Sequence, residues 1–199
     1  MRPAPRSHST IYPYMLGNHA RMGRTPLLEL GALDVVLVCW REGASTLLWR
    51  DDLEALGQDP GQQFLRARDN LAALTDAQLI PHTMCAGPRG APCLAFRHGL
   101  AAACALLPQL HDLAERKLKS DRLTMAMPRR DLLLVFASPL PPRLDIEAHD
   151  FVSVLATGRS ALTDELFLLE RSGPSSYFGA NQYPLLADEI EVEVDLDAA

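Results

Sequence analysis

Met125–Phe136 reads MAMPRRDLLLVF, two apolar runs parted by Pro128, Arg129, Arg130 and Asp131. The pattern predicts two strands, Leu123–Met127 and Leu132–Ala137, joined by a polar turn. Pro128 suits the second position of a type I turn, and Arg129 and Arg130 tolerate the positions after it. Asp131 can then accept backbone amides or pair with an arginine. A functional reading stands beside this one. Arg130 would be a planar donor for a carboxylate or phosphate, with Asp131 orienting it. Neighbouring residues on a strand point to opposite faces, so the two share a site only where the backbone turns. The structural turn is therefore the preferred reading.

Upstream, Leu33–Trp40 (LDVVLVCW) is a β-branched run of the kind found in strands buried on both faces, and Thr46–Trp49 returns as a second strand. Asp51 or Asp52 can cap a short helix that Gly57 ends. Asp59-Pro60 opens a longer helix whose apolar face is Phe64, Ala67, Leu71 and Leu74. Leu79–Met84 and Cys93–Arg97 read as short strands around a GPRGAP loop. From Gly99 to about Lys119 the chain reads as helical, and Pro108 requires a kink or a new helix there. Ile146–Thr157 fits a helix with Ile146, Phe151, Val154 and Leu155 as its apolar side. Glu165–Glu170 reads as a strand and Gly173–Tyr183 as a loop. Glu189–Asp197 alternates acid and apolar strictly, which describes a strand with one acidic face. The sum predicts an α+β fold in a single domain, with a mainly antiparallel sheet and about four helices. Residues 1–24, with three prolines and four arginines, read as a basic, loosely ordered arm, leaving 25–199 as the domain.

With 199 residues the chain can bury a substantial core without disulfides or a structural metal. The net charge of −6 argues against a general nucleic-acid binder, since affinity for phosphates rests on clustered lysine and arginine. No apolar run approaches the roughly 20 residues that span a bilayer. MRPAPRSHST has no apolar core and does not read as a secretory signal, so the expected location is cytoplasmic. Cys39, Cys85, Cys93 and Cys104 lie in apolar settings without a CxxC spacing and read as small buried hydrophobes.

The order of these elements resembles the YtpQ-like family of uncharacterised bacterial proteins, a domain of unknown function. Two stretches carry the likeness. One is the D-L-E-x-L-G segment leading into a helix that ends A-x-x-N-L, here Ala67, Asn70 and Leu71. The other is an apolar strand running into P-x-R-D, here Pro128, Arg130 and Asp131. The resemblance spans roughly residues 25 to 170. It sharpens the fold and brings no activity with it.

The remaining candidates are thin. His82, Cys85, Cys93 and His98 offer two nitrogen and two sulfur ligands of the types zinc takes. Strand parity sends His82 and Cys85 to opposite faces, and Cys93 and His98 likewise. No G-x-S-x-G, G-x-G-x-x-G or P-loop occurs, and Cys85 with His82 or His98 is the least poor nucleophile pair. Asn70 can reach a backbone group, a ligand or water, with a structural role preferred. Trp40 and Trp49 read as packing residues on paired strands. The absence of a coherent catalytic constellation, together with an acidic alternating strand able to add to a partner's sheet edge, leads to a non-catalytic cytoplasmic protein-interaction or accessory module, a homo-oligomer or an accessory subunit, with no cofactor. The alternative is an anionic-ligand binder or hydrolase-type enzyme with a site at Arg129, Arg130, Asp131 and Asn70.

Overall fold

The computed structural model describes residues 10–41, 44–75, 80–86 and 90–176. The acidic alternating segment from Glu189 to Asp197 lies outside them, as do residues 87–89 of the GPRGAP loop.

Two antiparallel sheets form the frame. The first contains β1 (Thr10–Gly17), β2 (Leu28–Leu30), β3 (Leu33–Arg41) and β4 (Ala44–Leu48). β3 lies at its centre, with β1 along one side and β2 and β4 along the other. The helices α1 (Arg50–Ala55) and α2 (Pro60–Thr75) follow. The second sheet takes β5 (His82–Ala86), β6 (Ala91–Arg97), β7 (Leu123–Arg129), β8 (Leu132–Ala137), β9 (Leu166–Glu170) and β10 (Gly173–Ser176), in the spatial order β10-β9-β7-β8-β6-β5. A 3-10 segment (Ala102–Leu106) and α3 (Pro108–Leu118) connect β6 to β7, and α4 (Pro142–Leu155) connects β8 to β9. The α+β class and the four α-helices are as the sequence predicts, with two sheets where one was expected.

The cores follow from strand parity. Phe96, Met125, Leu133, Val135 and Phe167 project from one face of the second sheet. They meet Met15, Leu33 and Val35 of the first sheet, together with the 3-10 segment and α3. The opposite face, with Cys93, Ala95, Ala126, Leu134 and Phe136, is covered by Ala148 and Val152 of α4. Burial on both faces is why β7 and β8 read as continuous apolar runs. Phe96, Phe136 and Phe167 are each fully buried, at roughly 1.5–3 kcal/mol apiece relative to exposure. A third cluster packs Ile11 and Leu37 against Leu53 of α1 and Ala67 of α2.

Several elements depart from the sequence reading. Residues 10–17 are a strand within the first sheet and not part of a loose arm. Their alternation of buried and half-buried positions is the reason: Ile11, Met15 and Leu16 enter cores that the arginines around them disguise. Gly173–Ser176 is a strand paired with β9 and not a loop. α4 begins four residues before the expected Ile146, because Pro142 supplies a pre-set first turn. Its inward face is also different: Ile146 and Val154 are exposed, and Ala148 and Val152 are the buried positions. Ala148 and Val152 form the centre of this face with Leu144, Phe151 and Leu155 partly buried around them, so the face is rotated from one drawn through Ile146 and Val154. At Pro108 a new helix starts, as expected. Asp59 caps α2 by accepting the Gln62 N–H at 2.6 Å. At α1 the N-cap is Trp49, whose N–H donates to Asp52 at 2.9 Å, while Asp51 accepts the Thr25 N–H from across the structure.

Candidate functional site

The hairpin tip from Pro128 to Asp131 is built differently from a turn with Pro128 at its second position. β7 runs through Pro128 to Arg129, which pairs with Leu132, so Arg130 and Asp131 form the two-residue turn. The register shifts between Ala126 and Arg129, a bulge that holds Met127 and Pro128. Proline is accommodated there because a bulge leaves residues out of the ladder. Its carbonyl accepts the Leu162 N–H at 2.9 Å.

Each charged side chain of this tip has a partner within the fold. Arg129 donates two hydrogen bonds to Asp131, Nε to Oδ1 at 3.0 Å and Nη2 to Oδ2 at 2.9 Å. The bidentate fork is the geometry in which arginine and carboxylate fit best. Arg130 takes a separate course. Its guanidinium lies over the Tyr14 ring of β1, 5.7 Å from the centroid, and Nη2 donates to the Arg159 carbonyl at 3.0 Å. The Arg130 N–H donates to the Ser160 carbonyl at 3.1 Å. The Arg130 and Asp131 carbonyls accept the N–H groups of Ala102 and His98. Asp131 thus orients Arg129 and not Arg130, and the tip ties both sheets, the 3-10 segment and the loop after α4 together.

Asn70 also works inside the fold. Its Nδ2 donates to the Ile11 carbonyl at 2.9 Å, covering part of the outer edge of β1 with α2. Of the zinc-type quartet, Cys93 is buried in the cluster under α4, Cys85 and His82 are exposed, and His98 accepts the Leu100 N–H through Nδ1. The four do not gather into a ligand set. Burial pushes the Cys93 thiol, like the Cys104 thiol, up to about 12, so neither is a ready thiolate. Among the described residues one group has ligand atoms close enough to share an ion, His111, Asp112 and Glu115 on α3. The sequence reading did not single it out, although His and Glu four apart on an amphipathic helix are its signature.

A different surface emerges on the first sheet. Ala44, Ser45, Thr46 and Leu47 of β4 are all exposed, so this strand shows both faces to solvent. Among the described residues its only strand neighbour is β3. On one face, the register places Tyr12, Val38 and Leu47 in one row and Thr10, Trp40 and Ser45 in the next. Tyr12 and Trp40 stack at 5.3 Å with their planes tilted by 48°, and Trp40 is 44% exposed. Trp49, by contrast, is buried under the Arg24 guanidinium, 5.8 Å from its ring centroid. No helix of the described residues is long and apolar enough to cross a membrane. Comparison with protein families, with curated proteins and with solved structures finds no match to this chain.

Proposed function

We propose that the protein is a non-catalytic interaction module that associates with a second copy of itself along β4. The observation that carries this reading is the state of that strand. It is uncharged over ASTLL, exposed on both faces, and paired on one side among the described residues. Edge strands of soluble proteins are ordinarily blunted by charge, proline or a covering helix. Three other edges follow that rule: α2 covers β1 through Asn70, Pro174 lies in β10, and β2 is three residues long and carries Glu29. β5 is a second edge without Lys, Arg, Asp or Glu, and the aromatic pair among the described residues, Tyr12 with Trp40, lies on the sheet of β4 instead.

Antiparallel pairing of two β4 strands would place no like charges opposite one another. The backbone ladder would supply affinity, and the Tyr12–Trp40 pair with Leu47 an apolar anchor beside it. The ligand reading of Arg129, Arg130, Asp131 and Asn70 draws less support, because each has its partner within the fold. The test is the molar mass in solution by sedimentation as concentration rises. Wild type is expected to dimerise, and Ser45→Lys with Leu47→Lys to stay monomeric with its fold intact. A wild type that remains monomeric, or a lysine variant that dimerises equally, overturns the reading.

A further inference from the structure

We propose that α3 carries a divalent-cation site formed by His111, Asp112 and Glu115, of the class that takes zinc or cobalt(II). His111 and Glu115 are one helical turn apart and Asp112 is adjacent, so a single short stretch of α3 presents all three groups. The His111 side chain is buried, with 8% of it exposed. Its Nδ1 is fully shielded from solvent and makes no hydrogen bond. Buried polar atoms in folded proteins are almost always satisfied, and one left over calls for an explanation.

The direction of that atom supplies the explanation. Nδ1 lies 3.6 Å from Asp112 Oδ1 and 3.7 Å from Glu115 Oε2. Both separations are too long for a hydrogen bond. They are suited to two ligands of one ion, since atoms bound at about 2.0–2.2 Å can lie up to about 4.2 Å apart. All three ligand atoms lie within 4.8 Å of one another. One imidazole nitrogen and two carboxylate oxygens form a mixed set that borderline transition cations accept.

Arg171, in the turn between β9 and β10, already treats this place as a cation site. Its Nη2 lies 3.1 Å from Glu115 Oε2 and 3.6 Å from Asp112 Oδ1, the same two oxygens that face His111. The Arg171 side chain is 72% exposed, so it can swing into solvent at little cost and open the position to an ion. The arginine is therefore a competitor for the metal.

Titration of the untagged full chain with zinc chloride by calorimetry, and with cobalt(II) by its visible absorption, tests the site. One equivalent should bind, with a cobalt spectrum showing protein ligands. Asp112→Asn and Glu115→Gln, both at solvent-accessible positions, should each weaken zinc by more than the roughly 10–100-fold that loss of an outer-shell partner costs. Arg171→Ala should tighten it. Absence of stoichiometric binding overturns the proposal. So does binding that Asp112→Asn and Glu115→Gln leave unchanged, since other histidines and Cys85 would then hold the ion. An Arg171→Ala variant with unaltered affinity overturns the competition between arginine and metal.

Discussion

Arg130 lies over the ring of Tyr14, and through this contact the β7–β8 hairpin of one sheet grips the first strand of the other. The same guanidinium donates to the Arg159 carbonyl, so one side chain joins three parts of the chain. Arg130→Ala should lower stability by about 1–2 kcal/mol from the lost cation–π contact and hydrogen bond. A double-mutant cycle with Tyr14→Leu should return a coupling of about 0.5–1 kcal/mol by denaturant melts. The Arg129–Asp131 pair, with both side chains more than a third exposed, behaves differently. Asp131→Ala should cost at most about 1 kcal/mol, as exposed ion pairs do. A larger loss at Asp131 than at Arg130 would reverse this ranking.

The deepest charge in the described structure is Asp34, which is fully buried on β3. Arg21 meets it through Nε at 3.0 Å and Nη2 at 2.5 Å and also reaches Glu29. The hydrogen bond to Asp34 holds the Arg21 guanidinium above its already high ordinary value. Removing Arg21 strands a buried carboxylate, whereas Arg24 serves the exposed or half-exposed Asp51 and Asp52. The melting temperature should fall more in Arg21→Ala than in Arg24→Ala. Arg21→Lys should recover only part, because one ammonium cannot reproduce the two-pronged contact.

Asn70→Ala removes the donor that covers the Ile11 carbonyl on the edge of β1. The expected loss is about 0.5–1.5 kcal/mol, measured by urea melts. Asn70→Asp should be worse, since it sets an acceptor against an acceptor. Equal stability of all three proteins would remove Asn70 from the account of how β1 is held.

The cysteines divide by burial. Cys93 and Cys104, whose thiols are pushed up to about 12 by desolvation, should resist maleimide at neutral pH, while the exposed Cys85 reacts. The native protein holds these two protons more tightly than the unfolded chain, whose thiols ionise near the ordinary value of 9.0. Their contribution to stability is therefore intact below about pH 9 and is lost as pH rises toward about 12. Alkaline melts should show this decline, and Cys93→Ala with Cys104→Ala should flatten it. Prompt labelling of Cys93 or Cys104 in the folded protein would contradict the assignment.

The legible parts of this fold were those with long one-sided or two-sided apolar patterns. β3, β7, β8 and the face of α2 announced themselves, and Asp59-Pro60 and Pro108 marked helix starts through chemistry local to the chain. What was hidden depended on partners distant in sequence. β1 is disguised by arginines, one of which, Arg21, is matched to a buried aspartate thirteen residues away. The inward face of α4 is marked by an alanine and a valine, while Ile146 and Val154 point to solvent. At the hairpin tip the sequence gives the polar turn but not its register, because the bulge that moves Pro128 into β7 is set by pairing with β8. The exposure of β4 was equally invisible, since a short uncharged run such as ASTLL reads the same with one neighbour or two.

Whether β4 gains a second neighbour in solution is measured most directly by backbone amide exchange over Ala44–Leu48. Hydrogen exchange followed by mass spectrometry at low and high protein concentration should show these amides slowing as concentration rises, because antiparallel pairing engages those that point away from β3. Ser45→Lys with Leu47→Lys should abolish the slowing. Exchange over β4 that is the same at every concentration would contradict the central claim.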